Sequence, residues 1–187
     1  MEVLEAIETR RSIRKYKSAP VDDKAVQAVL EAGRWAPSWA NTQCWRFIVV
    51  RDSKTKAALA DTLFRGPGGF ENPSIKAVNT VPVVIVICAQ MGKSGCNPRG
   101  ETVTEKGDWY LFDTALAVQN MVLAAHSLGL GTVIIGAFDA PAAAAVLGVP
   151  EGYSLVTLFP LGVPDEEPKA RPRKELSEIA FEDKFGA

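Results

Sequence analysis

Basic side chains crowd the segment TRRSIRKYKS, residues 9–18, around the hydroxyl of Ser12. The cations are Arg10, Arg11, Arg14, Lys15 and Lys17. A phosphate accepts paired hydrogen bonds from a guanidinium and a further one from a hydroxyl, so three arginines around a serine suit a phosphate. Cations at a helix C-terminus are also stabilised by the macrodipole, typically by about 0.3–1 kcal/mol. The segment therefore predicts either an anion site or a solvated helix end, and three arginines exceed what a helix end needs.

A second basic segment, KARPRK at 169–174, lies in a charged and proline-rich tail. Its cations are Lys169, Arg171, Arg173 and Lys174. Such a segment is more often a solvated tail. Beside the first basic segment it would close a site for a dianion, but the sequence alone does not place the two together.

Two other phosphate-binding patterns are incomplete. Gly92-Lys93-Ser94 resembles the end of a P-loop, but the glycine that would begin the loop is replaced by Ile87. GLGTVIIG at 129–136 has Ile134 where a dinucleotide fingerprint needs its third glycine, and it leads from a helix into a strand. For Gly129 or Gly131 a helix C-cap is the favoured interpretation.

Side chains for nucleophilic or metal chemistry are scarce. His126 is the only histidine, and its place near the end of an apolar helix favours a structural role over that of a base. The cysteines Cys44, Cys88 and Cys96 form no C-x-x-C pair, so we expect free thiols and no metal site. No side chain is predicted to be catalytic.

The composition sets the broad class. The chain has 187 residues, 47% hydrophobic and 23% charged, with 21 basic and 22 acidic side chains. This balance gives no reason to expect nucleic acid as a partner. No secretory leader and no apolar run of 18 residues is recognised, so we expect a cytoplasmic protein away from the membrane, with one domain over residues 1–187.

Hydrophobic periodicity places these residues on a mixture of helices and strands, which indicates an α+β or α/β class. The predicted strands are 45–50, 81–89, 131–138 and 153–162. The predicted helices are 2–10, a second that opens near Asp22 and is closed by Pro37, 53–64, 108–128 and 140–147. The helix 108–128 is apolar around most of its circumference, so it should be buried in the centre of the fold or in an interface. The segments 36–44, 65–80 and 92–107 are predicted loops, and 163–187 is predicted to be a tail that ends in a short helix.

Four segments, in this order, resemble the nitroreductase family of FMN-dependent oxidoreductases in its short form. They are RRSIRKY after the first helix, APSWANTQCWRF after the second, GLGTVIIGAF after the long helix, and PLGVPDEEPKARPRK in the tail. The resemblance covers nearly the whole chain. It implies an α+β sandwich around a mixed, mainly antiparallel sheet flanked by helices, and an intertwined homodimer with FMN at the interface.

Carried over by position, the resemblance implies a set of cofactor contacts. Arg10, Arg11 and Ser12 would hold the phosphate and ribityl chain. Arg14 would lie nearer the pyrimidine edge of the ring, and a backbone N–H near Gly136 would reach flavin N5. The full predicted set is Arg10, Arg11, Ser12, Arg14, Pro37, Ser38, Trp39, Asn41, Gln43, Ile134, Ile135, Gly136, Arg171 and Arg173, with Ser38, Trp39, Asn41 and Gln43 coming from the partner chain.

The resemblance also implies a ping-pong reaction. NADH or NADPH would reduce FMN, and a nitroaromatic, quinone or activated alkene would then take the electrons, with the cofactor carrying the difficult chemistry. The loops 65–80 and 92–107 are predicted to cover the flavin and to select the acceptor. Phe70, Arg99 and Trp109 are the predicted contacts of the electron acceptor, and a place in the core is the alternative for Trp109. The family usually has a smaller residue at Trp39 and often proline at Cys44, so Trp39 should narrow the space over the flavin.

Alternatives remain open at this stage. A flavin enzyme of the same fold could instead dehalogenate, oxidise azolines or fragment the flavin. A flavin-binding protein without turnover, and a dimeric interaction protein whose basic segment only solvates a helix end, are the alternatives from other classes.

Overall fold

Helices and strands are mixed along residues 1–66 and 72–186, the part of the chain that the computed structural model describes. The helices there are α1 (Val3–Thr9), α2 (Asp23–Arg34), α3 (Ser53–Asp61), α4 (Pro73–Thr80), α5 (Tyr110–Ser127) and α6 (Ala140–Leu147). The strands are β1 (Trp45–Val50), β2 (Val83–Gln90), β3 (Gly131–Thr132) and β4 (Tyr153–Gly162). Single turns of 3-10 helix lie at Trp39–Asn41 and Leu176–Glu178.

The four strands form one antiparallel sheet in the order β1-β2-β4-β3. Alternate side chains of β2 enter two different cores. Val84, Val86 and Cys88 pack with the α3, α4 and α6 side, whereas Val83, Ile85 and Ile87 pack with α2 and α5. The prediction of a strand covered on both faces is therefore confirmed, and so is the α+β class.

Helix α5 packs across the sheet and against α2. Gly33 of α2 allows this close approach, because a Cβ at that position would lie 2.9 Å from Met121 Cγ. Met121 is fully buried, whereas Leu111 and Phe112 on the same helix are more than half exposed. The helix is thus buried on one side only, and the other side is an apolar surface.

Two predicted boundaries were wrong. Residues 73–80 of the predicted 65–80 loop form α4, because Pro73 occupies the first helical turn, where a proline is tolerated, and Asn72 caps it by accepting the Ser74 N–H.

The predicted 131–138 strand is regular only at Gly131–Thr132, with an isolated bridge between Ile135 and Leu158. If the antiparallel pairing of β3 with β4 continued in the same register, Pro160 of β4 would lie opposite Val133. A proline has no N–H to donate, so the ladder is interrupted between the two pairings.

Among residues 1–66 and 72–186, no helix is long and apolar enough to cross a lipid bilayer.

Candidate functional site

The basic segment is attached to the end of the sheet. The Ile13 N–H donates to the Thr132 carbonyl at 2.8 Å, and Ser12 forms an isolated parallel bridge with Thr132. Gly131 makes this contact possible, because a Cβ there would lie 2.8 Å from Ile13 Cγ1. The segment between Arg10 and Arg14 is therefore held as an extra extended stretch beside β3.

A cleft of about 280 Å³ opens where this stretch meets α5. Its walls carry two guanidinium groups, two hydroxyls, one amide and three apolar side chains: Arg10, Ser12, Arg14, Gln119, Val122, Thr132, Val133 and Ile134. None of these lining residues is acidic. Guanidinium and hydroxyl donors with no carboxylate among the lining side chains suit the binding of an anion.

The chain after β3 borders the same cleft. Ile134 is 52% exposed, whereas the side chain of Ile135 is buried in the core. Within the described residues, the backbone N–H groups of Ile134 and Gly136 have no hydrogen-bond acceptor. Gly136 is exposed, and no atom would contact a Cβ built on it within 4 Å. This edge therefore presents free backbone donors at Ile134 and Gly136. The predicted contact Ile135 does not add one, because its side chain is buried and its N–H and carbonyl both pair with Leu158.

Arg11 behaves differently from Arg10. Its guanidinium donates to the carbonyls of Glu8 at 2.7 Å and Arg10 at 2.8 Å, at the C-terminal end of α1. It thus occupies the helix-end position that the sequence left as an alternative. Arg11 lines a neighbouring cleft and not the one formed by Ser12 and Arg14.

His126 lies in that neighbouring cleft of about 590 Å³, and Arg10 lies between the two clefts. The Nε2 atom of His126 is 2.8 Å from the Thr9 hydroxyl. Partial burial first, and then the charges of Arg10 and Arg11, lower the pKa of His126. The contact with Thr9 supports the structural role favoured from the sequence.

The predicted 36–44 loop is tightly bent. Ala40, Asn41 and Gln43 all have φ between 43° and 58°, in the left-handed region that non-glycine residues rarely adopt. Such residues cost on the order of 1–3 kcal/mol each and persist where the surroundings fix them. Ser38 closes the loop, since its Oγ accepts the Gln43 N–H at 3.0 Å. Pro37 and Asn41 are exposed.

A buried carboxylate anchors this loop. Asp113, in the first turn of α5, accepts the Trp39 backbone N–H at 3.0 Å through Oδ2. The same oxygen accepts the hydroxyl of Ser94, which is fully buried, and lies 3.5 Å from the Thr42 hydroxyl.

Three aromatic rings lie beside the anchor. Trp39 and Trp109 have ring centroids 5.5 Å apart, and Trp109 and Phe112 have centroids 5.0 Å apart. Of the other predicted acceptor contacts, Arg99 is exposed in the 92–107 loop, and Phe70 lies outside the described residues.

Within one copy of the chain, the two halves of the predicted site lie at opposite ends of α5. Asp113 and the Trp39 loop are at its N-terminal end, and His126 with the basic segment is at its C-terminal end. Asp113 and His126 are thirteen residues apart along the helix, which is about 20 Å at 1.5 Å per residue. Gln119, which lines the Ser12 cleft, lies between them. The structure therefore brings Arg10, Ser12, Arg14 and Ile134 together, and leaves residues 37–43 elsewhere.

The tail starts at the basic segment and then leaves it. The carboxylate of Glu166 accepts the backbone N–H groups of Arg14 and Lys15. Arg171 and Arg173 follow in a fully exposed stretch, and neither lines the Ser12 cleft.

Comparison with known proteins decides the family. A sequence model of the nitroreductase family matches residues 7–163. This chain belongs to the nitroreductase family. A protein of Methanothermobacter thermautotrophicus, provisionally named NADH dehydrogenase/NAD(P)H nitroreductase, is 34% identical over 91% of this chain and 82% of its own length. The NADPH-flavin oxidoreductase of Vibrio harveyi is 30% identical over 97% of this chain and 74% of its own.

Solved structures agree with this assignment. An FMN-dependent nitroreductase of Clostridium difficile R20291 superimposes with a TM-score of 0.77 at 29% identity, covering 96% of this chain and 99% of the other. The predicted family and its fold class are confirmed.

Several residues of the candidate site were not predicted from the sequence. Gln119 and Thr132 line the Ser12 cleft, and Ser94 and Asp113 anchor the Trp39 loop. A lone carboxylate in the first turn of an otherwise apolar helix was the only signal for Asp113, and no local motif indicated the other three.

Proposed function

We propose that this nitroreductase is an FMN-dependent oxidoreductase that takes electrons from NADH or NADPH and delivers them to small acceptors. The observation that carries the proposal is the cleft in which Arg10, Ser12 and Arg14 converge beside the free backbone N–H groups of Ile134 and Gly136. FMN has a matching pair of ends, namely a dianionic phosphate and a flat ring with polar edges. Bound FMN supplies the redox chemistry by accepting hydride from NAD(P)H and passing electrons to the acceptor in a second, ping-pong half-reaction.

The basic segment would bind the phosphate end. Arg10 and Ser12 are half-buried and share one cleft, so they can donate to the same group with little competition from water. Arg11 belongs to the proposed phosphate site, but it would have to exchange its bonds to the α1 carbonyls for bonds to the phosphate.

The other end of the cleft would orient the ring. Arg14 is an exposed cation on its rim, and beside the pyrimidine edge it would favour the negative charge that reduction places there. The Gly136 N–H is the proposed donor to flavin N5. No side chain of the chain is assigned a proton transfer in this mechanism.

A second copy of the chain would complete the site. Apolar side chains of α1 and α5 are exposed, among them Val3, Leu4, Ile7, Leu111 and Phe112. Exposed apolar area of this extent marks an interface. Two copies with α5 antiparallel would place the Trp39 loop of each beside the basic segment of the other. This arrangement is the intertwined homodimer implied by the family resemblance.

The tail fits the same arrangement. Leu176, Ile179 and Phe181 are exposed beyond the point where the tail leaves Glu166. Packed on the partner, these side chains would be covered, and Arg171 and Arg173 would be carried to a phosphate site.

Acceptors would enter over the ring. Nitroaromatics, quinones and activated alkenes are flat, and Trp39 and Trp109 provide aromatic surface at the N-terminal end of α5. Arg99 and Phe70 stay predicted contacts. The proposal includes a cytoplasmic location, with which three free cysteines are compatible.

Anaerobic stopped-flow absorbance tests the function. The purified protein reconstituted with FMN should be yellow, and NADH or NADPH should bleach it. Nitrofurazone or menadione should then restore the absorbance. Steady-state rates at varied concentrations of both substrates should give parallel lines in double-reciprocal plots, as a ping-pong reaction requires. A protein that gains no flavin contradicts the proposal, and one that binds FMN but is not bleached is a flavin-binding protein without turnover.

A further inference from the structure

A buried carboxylate that the proposed mechanism does not use connects two loops of the site. Asp113 is only 2% exposed, and its Oδ2 holds the Trp39 backbone N–H at 3.0 Å together with the buried hydroxyl of Ser94. Ser94 belongs to the 92–107 loop. One oxygen atom therefore joins the loop predicted to line the cofactor to the loop predicted to cover it.

The attachment acts on a loop with a strained backbone. Ala40 and Asn41, the two residues after Trp39, are both in the left-handed region. The Ser94 hydroxyl is also 2.8 Å from the Thr42 hydroxyl. Thr42 is therefore a second fixed point of the loop, four residues after Ser38. Strained residues persist when their surroundings fix them, and here the buried oxygens of Asp113 and Ser94 do so.

The side chain that this attachment places is Trp39. Its indole is tilted by 49° against Trp109, which is itself packed on Gly95 so closely that a Cβ there would lie 2.5 Å from Trp109 Cδ1. Trp39 is thus fixed at its backbone by Asp113 and at its ring by Trp109.

We propose that Asp113 is a positioning residue that limits acceptor size by fixing Trp39. The inference rests on the proposed function, in which Trp39 borders the space over the flavin. Asp113 contacts neither cofactor nor acceptor and acts only through the Trp39 backbone. Without the carboxylate the loop relaxes, Trp39 leaves its place against Trp109, and the restriction on large acceptors weakens.

The test compares kcat/KM for menadione with that for the smaller p-benzoquinone. Asp113→Ala should raise this ratio by about fivefold or more, within the range by which contacting residues couple. Trp39→Ala should raise it similarly, and adding Asp113→Ala to Trp39→Ala should change it no further. Asp139→Ala is the matched control, because it removes a carboxylate that caps α6 by accepting the Ala142 N–H. It should leave the ratio unchanged.

Near-ultraviolet circular dichroism gives a readout that needs no turnover. The coupled signal of the Trp39–Trp109 pair should weaken in Asp113→Ala and persist in Asp139→Ala. If Asp113→Ala does not fold, Ser94→Ala carries the test and should shift both readouts in the same direction.

An unchanged ratio in a folded variant overturns the proposal, and so does an equal effect of Asp113→Ala with and without Trp39. If NAD(P)H fails to bleach the wild-type flavin, the proposed function falls and acceptor selection falls with it. The dichroism still reports whether Asp113 holds Trp39, so the two failures are distinguishable.

Discussion

Gly131 and Ile13 pack so closely that a methyl group on Gly131 would lie 2.8 Å from Ile13 Cγ1. This contact, with the Ile13–Thr132 hydrogen bond, sets the basic segment beside β3. Gly131→Ala should push the segment away, cost about 1–3 kcal/mol by overpacking, and weaken FMN retention.

Gly33→Ala is the control for this change, because its Cβ would meet Met121 and Phe47 with a similar overlap at 2.9 Å. Gly33→Ala should lower the melting temperature by a similar amount. The FMN dissociation constant, measured by titration at low temperature, should stay near the wild-type value. Equal loss of FMN affinity in both variants would show that Gly131 has no specific effect on the site.

Arg10 should contribute more to FMN binding than the lysines of the same segment. Arg10 is half-buried in the cleft, whereas Lys17 is exposed and lines neither cleft. Arg10→Ala should raise the FMN dissociation constant by about tenfold or more, because a charge-assisted bond of roughly 1.5–3 kcal/mol is lost. Lys17→Ala should change it by less than about twofold, and fluorescence titration of FMN measures both. Similar constants for the two variants would remove Arg10 from the proposed site.

His126 should report anion binding at the basic segment. The charges of Arg10 and Arg11 contribute to the low pKa of His126, so a bound phosphate that neutralises them should raise that pKa. His126 is the only histidine, and its Hε1 proton gives one assignable NMR signal. FMN should raise the pKa of His126 in this titration. Riboflavin, which lacks the phosphate, should raise it less. Identical titrations with the two ligands contradict a phosphate near Arg10.

The lowered pKa of His126 also affects the stability of the apoprotein. The folded pKa of His126 lies below its unfolded value, so the unfolded chain binds the proton first as the pH falls. Stability of the apoprotein should therefore decline as the pH falls through the ordinary histidine range, and level off below the folded pKa. His126→Gln should lack that step in urea titrations across this range, although other groups contribute their own slopes.

The two tail arginines should matter for FMN only if the tail reaches a phosphate site. Arg171→Ala with Arg173→Ala should raise the FMN dissociation constant severalfold, because two cations leave a phosphate site. Lys169→Ala with Lys174→Ala removes the same charge from flanking positions and should have a smaller effect. Equal effects would indicate general electrostatic attraction of the tail.

The sequence predicted the elements well where the signal is local. The alternating cores of β2 follow from its apolar run, and the Asn72-Pro73 pair is a capping signal that the glycines around it outweighed. The end of β3 depends on Pro160, a residue of another strand, so the periodicity of 131–138 could not reveal it.

The candidate site shows the same difference between contacts that are local in the sequence and contacts that depend on the tertiary fold. Arg10, Ser12 and Arg14 are close in sequence and meet in one cleft. Asp113 and Trp39 are 74 residues apart, and their hydrogen bond depends on how α5 crosses the sheet. The separation of the two half-sites along α5 is likewise a property of the tertiary fold.

The central claim is that each cofactor site combines the basic segment of one copy with the Trp39 loop of another. Subunit complementation tests it most directly, with Arg10→Ala in one copy and Ser38→Ala with Asn41→Gly in the other, since glycine accepts the positive φ at that position. Each variant alone should bind FMN poorly at both sites. The heterodimer, purified through two different affinity tags, should regain one tightly bound FMN per dimer, because one of its sites is then wholly wild type. A verified heterodimer that binds FMN no better than either variant would contradict a site shared between two copies.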